Sequence, residues 1–480
     1  MTSSNSTADI ATLAGLVTVL GEELYAIKGD ATARPWRRLT TDSRVVGEGD
    51  VFVALTGERH DGHDHVAGAA VAGAVCVIVE RPIELPAGAD TVELVVRNTR
   101  RALGRIARAW RANCALPLVA VGGSNGKTTS TQMVAAVLRA HFGDEAVHAT
   151  KGNFNNDIGV PQTLLGLKAT HRAAVVETGM NHRGEMAYLA DMVRPTVALL
   201  TNAQREHQAY LETVAETASE NGLLIAALPD SGCAVFPADD PCADVWASLA
   251  LARGVRTFTY SFDEKIAANV YGQLNAEGVL TLTGAVEATI PLTIAGQHNA
   301  RNATGAALVA KVLGLDWTKV TQALSNFHAL AGRGARETVE TPSGAFTLVD
   351  DAYNCNPDSA IASLKTLANA KAPRVFLFGD MGELGASSEA WHREVGRTAK
   401  SLGIDYFWCA GASHAAGAAA DAFGVNGSTC RAYADRETLI AALRDLPLDG
   451  ATVVVKASHS AGFTHVIEAL RAFGKESQQD

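Results

Sequence analysis

Eight consecutive residues, Gly122-Gly123-Ser124-Asn125-Gly126-Lys127-Thr128-Thr129, are the part of the chain best suited to chemistry on a phosphate. A tight turn of small residues can aim backbone N–H groups at a polyanion, and a helix that follows adds its positive end. In such a turn Lys127 reaches the β- and γ-phosphate oxygens, and the Thr128 hydroxyl can ligate Mg²⁺. Gly123, Ser124, Asn125, Gly126, Lys127, Thr128 and Thr129 are therefore candidate nucleotide-binding residues. The strict Walker pattern asks for Gly five residues before Gly126, and that position is Val121. The plain alternative is a Gly-rich turn before a helix. Against it stand the apolar run Leu118–Val121 before the turn and the helical pattern Thr128–His141 after it. Glu177, at the end of an apolar run, is a candidate carboxylate, although taken alone it is an ordinary strand-end residue. His207 taken alone is an ordinary surface histidine.

These residues need a frame, and the chain divides into three regions, 1–113, 114–331 and 332–480. The first holds short apolar strands, Asp50–Leu55 and Val75–Val79, and a helix with a basic face, Asn98–Arg111; Ala112–Pro117 reads as a linker. The second opens with strand, Gly-rich loop and helix, as in an α/β phosphate-binding unit. Ala173–Glu177 and Thr196–Thr201 are further strands ending in polar residues, where parallel sheets place their chemistry. Tyr260–Pro291 alternates polar and apolar residues and suggests an antiparallel insert. Asn299–Leu313 is an Ala-rich helix. In the third region, strands at Phe346–Val349, Arg374–Phe378, Tyr406–Cys409 and Thr452–Val455 are separated by helices such as Ser359–Ala370 and Ser388–Leu402, a doubly wound α/β pattern. The fold class expected is thus α/β in three domains, the central one a P-loop unit and the C-terminal one Rossmann-like.

The bulk numbers agree. The 480 residues exceed one ordinary domain, and 47% hydrophobic with 19% charged residues is globular. The net charge of −10, spread along the chain, gives no nucleic-acid footprint. Seven scattered cysteines, none in a C-x-x-C pair, argue against a disulfide framework and a zinc site. Met1 to Asp9 lack the basic and apolar regions of a secretory signal. The longest apolar run, Val66–Val79, is shorter than the roughly 20 residues of a spanning helix. A cytoplasmic protein without a membrane segment is expected. The cluster His60-Asp61-Gly62-His63-Asp64-His65 matches no closed metal site and reads as a polar turn.

The loop resembles that of the Mur ligase family, Gly-[Ser/Thr]-Asn-Gly-Lys-[Ser/Thr], which also lacks the first Walker glycine. The resemblance runs over nearly the whole chain. Thr41-Asp42-Ser43-Arg44, Asp50–Leu55 and His60–His63 are similar to the family's UDP-sugar-binding domain. Lys151-Gly152-Asn153-Phe154-Asn155-Asn156-Asp157-Ile158-Gly159-Val160-Pro161 resembles the substrate loop of the branch that adds D-Ala-D-Ala. Val176–His182 resembles the strand end with a metal-binding Glu, and Gly296-Gln297-His298-Asn299 with Asn302 the helix start near the adenine. Asp350-Asp351-Ala352-Tyr353-Asn354-Cys355-Asn356-Pro357-Asp358-Ser359 and Gly379–Gly385 also fit that branch. The Asp-Asn-Pro-Arg motif of the branch that adds the third peptide residue is absent.

The resemblance implies an ATP-dependent amide ligase acting on UDP-N-acetylmuramoyl-tripeptide and D-alanyl-D-alanine through an acyl phosphate, with ATP and Mg²⁺, as a monomer. It implies that Thr128 holds one Mg²⁺ and that Glu177 and His207 hold a second. Asn299 and Asn302 would face the adenine, and Arg336 and Asp351 would close over the nucleotide from the third domain. Arg333 competes with Arg336, which the spacing to Asp351 favours. Ser43 and Arg44 would contact the UDP portion. Asn153, Asn155, Asn156, Asp157, Tyr353, Asn356, Ser359 and Lys456 would line the substrate, although the Asn residues could simply satisfy turns. Family members commonly carry a carbamylated lysine after the metal-binding His. Here no lysine lies between Lys168 and Lys265. Either Glu220 supplies that carboxylate directly, or it is a solvated helix residue. Lys456-Ala457-Ser458-His459 stands where the family often has Lys-Gly-Ser-Arg. The alternatives are a third-residue-adding ligase, a folylpolyglutamate synthase, a P-loop kinase and a non-catalytic homologue.

Overall fold

The computed structural model describes residues 10–57, 60–342, 344–424 and 427–476; the polar stretch Met1–Asp9 lies outside them. Three sheets are built in sequence order along the chain. The first orders its strands Leu24–Lys28, Val92–Val96, Cys76–Val79, Val51–Val53 and Leu39–Thr40, all parallel to their neighbours except the first pair. The helix Thr99–Ala112 follows it. Arg111 near that helix's end donates to the carbonyls of Val193 (3.1 Å), Cys114 (2.5 Å) and Arg194 (3.2 Å), so the segment read as a linker is pinned to the central domain.

The central sheet has nine strands: Ala288–Pro291, Val279–Gly284, Val270–Leu274, Arg256–Ser261, Cys233–Pro237, Val197–Leu200, Leu118–Gly122, Ala173–Glu177 and Val147–Ala149. Leu118–Gly122 lies between two parallel neighbours and is buried throughout. That explains its continuous apolar run, since a strand covered on both faces has no polar side to show. The antiparallel pairing expected within Tyr260–Pro291 is found from Val270 onward, where Val270–Leu274, Val279–Gly284 and Ala288–Pro291 pair antiparallel in turn. Arg256–Ser261, by contrast, pairs in parallel with Cys233–Pro237 and with Val270–Leu274, so these strands extend the central sheet. Alternation shows which strands have an exposed face, not which partner they take. The helix Lys127–Phe142 buries Met133, Val134, Val137 and Leu138 in one core with Ala303, Ala306 and Val309 of the helix Gln297–Val312. Each of the four larger side chains contributes about 1.5–3 kcal/mol, an upper bound because the unfolded chain is already partly compact. This packing sets the loop ahead of Lys127 and the start of the second helix side by side.

The third sheet runs Ala335–Thr341, Gly344–Asp351, Thr452–Lys456, Arg374–Gly379, Tyr406–Ala410 and Cys430–Tyr433. All pairs but the first are parallel. In the register Asp351 lies opposite Lys456, so both strands deliver a charged residue to the same end of the sheet.

Candidate active site

A cavity of about 710 Å³ opens where the strand ends of the central domain face those of the third sheet. Its floor is the Gly-rich loop. Gly123 and Gly126 have φ of +118° and +81°, a region that suits glycine. A Cβ on Gly126 would also lie 2.5 Å from the Asn302 amide oxygen. The loop is held from beneath. The Gly123 N–H donates to Asn221 Oδ1 (3.0 Å), Ser124 N–H to the Asn202 carbonyl (3.0 Å) and Asn125 N–H to Asn202 Oδ1 (2.9 Å). Those three N–H groups therefore shape the loop. The donors left for an anion are at the start of the helix Lys127–Phe142, which no side chain caps and whose first N–H groups have no intrahelical partner.

Lys127 is folded back on the loop. Its ammonium donates to the carbonyls of Gly123 (2.6 Å) and Ser124 (2.8 Å) and to Glu206 (3.1 Å). Thr128 is buried, and its hydroxyl has no hydrogen-bond partner among the described residues. Glu177 ends its strand at 1% exposure. One carboxylate oxygen accepts from Asn155 (2.8 Å), and the other is buried without a partner among the described residues. A buried carboxylate oxygen and a buried hydroxyl, both unmatched in a polar cavity, are an unfavourable arrangement for the protein alone. Hard oxygen donors of this kind suit Mg²⁺.

The segment after the strand Val197–Leu200 joins the two sides of the cavity. Gln204 accepts from the Asn125 amide (2.6 Å) on the loop. Arg205 reaches the third domain and pairs with Asp358 (2.7 Å) and Glu394 (2.6 Å). Burial works against the Arg205 charge, but the two carboxylates outweigh it and hold the guanidinium in its charged form. Glu206 turns back to Lys127. His207, at φ +50°, places Nδ1 on the carboxylate of Glu383, itself at φ +58°. That contact lowers the Glu383 carboxyl from its ordinary value.

From the third domain, Asp351 accepts from Ser363 (2.5 Å) and pairs with Lys456 (3.0 Å), which is 4% exposed and also donates to the Asn354 carbonyl (2.9 Å). Asn356 caps the helix Pro357–Ala368 through Ser359. It also exchanges amide hydrogen bonds of 3.1 and 3.0 Å with Asn125 of the loop. Arg333 lies over the Tyr353 ring, 4.2 Å from its centroid.

Of the residues expected from sequence, Ser124, Asn125, Gly126, Lys127, Thr128, Thr129, Asn153, Asn155, Asn156, Asp157, Glu177, His207, Asn299, Asn302, Asp351, Tyr353, Ser359 and Lys456 line this one cavity. Gly123 and Asn356 are not in the lining but accept hydrogen bonds from residues that are, Lys127 and Asn125 respectively. Asn156 also serves its own turn, accepting from the Ile158 and Gly159 N–H groups. Arg336 and Glu220, also expected, are not among the residues that line the cavity. Arg333, not Arg336, lines the cavity. Arg336 is exposed on the strand Ala335–Thr341, whereas Arg333 lies in the turn before it, beside Tyr353. Glu220 is not brought in either. It lies on the helix Val214–Ala226, and its carboxylate accepts from the Gly184 N–H (3.0 Å). Its neighbour Asn221, about 100° further round the helix, is the one that faces the loop. Ser43 and Arg44 lie apart from the cavity in the N-terminal domain, with Arg44 exposed and paired to Asp42 (2.7 Å). His63 of the histidine cluster donates through Nδ1 to Asp61 and accepts from the Glu80 N–H through Nε2, a structural arrangement; no metal-binding group of three such side chains occurs among the described residues.

Glu206, Arg205, Asn202, Asn221 and Glu383 were not foreseen. A signal existed for the first three, since a polar run follows a buried parallel strand at the end where such sheets place chemistry.

The chain matches the Mur ligase middle domain over residues 121–310, the Mur ligase glutamate ligase domain over 336–459 and the Mur ligase family catalytic domain over 36–111. It belongs to the Mur ligase family. The UDP-N-acetylmuramoyl-tripeptide–D-alanyl-D-alanine ligase of Escherichia coli is 35% identical over 471 residues, 96% of this chain and 99% of the relative. The enzyme of the same name from Synechocystis is 35% identical, covering 90% of this chain and 92% of its own length. A crystal structure of MurF from Acinetobacter baumannii superposes with a TM-score of 0.85 at 28% identity, covering 96% of this chain and 98% of that one.

Proposed function

We infer that this chain is an ATP-dependent amide ligase that adds D-alanyl-D-alanine to UDP-N-acetylmuramoyl-tripeptide, a step in peptidoglycan precursor synthesis. The observation that carries the reading is the pair of unmatched buried oxygens, Glu177 Oε2 and Thr128 Oγ1, beside Lys127 and an uncapped helix start. The tripeptide carboxylate attacks the γ-phosphorus of ATP, ADP leaves, and an acyl phosphate forms. The uncharged amine of the dipeptide then adds to the acyl carbon. Collapse of that adduct forms the amide, expels inorganic phosphate and releases the amine proton. A carboxylate is a poor electrophile, and phosphorylation supplies the leaving group it lacks.

In this reading Lys127 and the N–H groups of Lys127–Thr129 stabilise the charge that builds on the transferred phosphoryl group. Thr128 and Glu177 would hold Mg²⁺. His207 would join through Nε2, with Nδ1 engaged by Glu383 as a second carboxylate commonly engages a metal-bound histidine. The ion, when bound, would offset the repulsion between the β- and γ-phosphates and the incoming carboxylate. Asn299 and Asn302 flank the adenine side. Arg333, Tyr353, Asp351 and Lys456 approach from the third domain, and Asn153, Asn155, Asn156 and Asp157 line the acceptor peptide. Ser43 and Arg44 contact the UDP end. Among the described residues no helix is long and apolar enough to cross a membrane. We place the reaction in the cytoplasm and take the enzyme as a monomer divided near residues 113 and 331.

A phosphate-release assay tests the reaction. Release is expected only when ATP, UDP-tripeptide and D-Ala-D-Ala are all present, with a new amide in the product. Steady release with ATP alone, or phosphorylation of a hydroxyl, would show an ATPase or kinase instead.

A further inference from the structure

Glu206 has no part in the reading above, yet it is the acid nearest the loop lysine. At 7% exposure it is a buried carboxylate, and its one ion-pair partner among the described residues is Lys127, at 3.1 Å. An ammonium has three donors. Those of Lys127 are all taken, by Gly123, Ser124 and Glu206. A nucleotide phosphate can bind Lys127 only by displacing one of them. The two carbonyls belong to the loop itself and are held with it. The carboxylate is the partner that can leave, and it must, because two anions would otherwise crowd one cation at short range.

We propose that Glu206 is a positioning residue that holds Lys127 in place of the terminal phosphates and is exchanged for them when ATP binds. This rests on the nucleotide reading of the cavity and goes beyond it. With the pair intact, a largely buried ammonium stays neutralised and aimed across the loop, so the loop is pre-formed. The exchange also reaches the third domain. Glu206 lies between Arg205, which grips Asp358 and Glu394, and His207, which grips Glu383. Movement of Glu206 away from Lys127 therefore acts on the segment that tethers the third domain.

The test is equilibrium binding, without Mg²⁺, of a non-hydrolysable ATP analogue and of AMP to the full-length parent, Glu206→Gln and Glu206→Asp. The Gln variant keeps the shape and removes the charge. It is expected to bind the triphosphate roughly tenfold tighter than the parent. Its affinity for AMP should be unchanged, since a single phosphate stops short of the lysine. The Asp variant keeps the charge and should show a smaller gain. Triphosphate binding that is equal or weaker in Glu206→Gln would overturn the proposal. So would a gain of the same size for AMP, or one as large in Glu206→Asp. A parent that binds no analogue at all would instead remove the nucleotide reading itself.

Discussion

Replacing Lys127 by Ala should lower kcat at least about a hundredfold, the usual loss when one preorganised donor to a developing negative charge is removed. The loss should fall on kcat and kcat/KM together, because the contact strengthens as charge moves onto the transferred phosphoryl group. A second effect follows from the ion pair at the loop. Glu206 would be left as a buried carboxylate without its cation, and the desolvation penalty of such a group is about 1–3 kcal/mol or more. Lys127→Ala should therefore melt at a lower temperature than the parent, and adding Glu206→Gln should restore stability without restoring turnover. Steady-state kinetics and thermal unfolding on the three proteins check both halves. A Lys127→Ala enzyme that turns over like the parent would contradict the site assignment.

Glu177→Gln should also cost about a hundredfold or more in turnover, yet leave the fold intact. The two effects separate because of the way the carboxylate is held. One oxygen accepts from Asn155, and the other is buried and unmatched. In the free protein a neutral amide in that position removes an unfavourable buried charge, so stability should hold or rise. In the working enzyme the same change removes the anion that would neutralise a cation beside the triphosphate, and the Mg²⁺ concentration for half-maximal rate should rise. Titration of rate against Mg²⁺, with a melting curve for each protein, measures this. Destabilisation together with an unchanged Mg²⁺ requirement would mean that Glu177 is structural.

How much of this could be read from the residues depended on distance along the chain. The loop was legible because its parts are consecutive, and a strand, a Gly-rich turn and a helix leave few other arrangements. Glu177 was legible because it ends an apolar run that can only be a buried strand. The helix Gln297–Val312 and its Asn302 followed from the Ala-rich pattern and the family resemblance. Arg205 and Glu206 stood out only as part of a polar run after a buried strand, and neither they nor Glu383 could be given a role. Their residue types are ordinary, and their meaning comes from partners 79 to 189 residues away that only the packed fold supplies. Two residues that the cavity does not take in show the finer limit. Glu220 and Asn221 are adjacent, and the turn of the helix decides which one faces the loop. Arg333 and Arg336 are three apart, and the point where the strand begins decides which one faces the cavity. In the same way, alternation at Tyr260–Pro291 identified strands but not the sheet that they extend.

The most direct test of the whole account follows one oxygen atom. If the peptide carboxylate takes the γ-phosphoryl group, one of its oxygens must leave with the phosphate when the amine displaces it. UDP-tripeptide labelled with ¹⁸O in the reacting carboxylate, turned over with ATP and D-Ala-D-Ala, should yield inorganic phosphate carrying one ¹⁸O per amide formed. Unlabelled phosphate released alongside labelled product would mean that ATP is split by water, and the acyl phosphate would have to be given up.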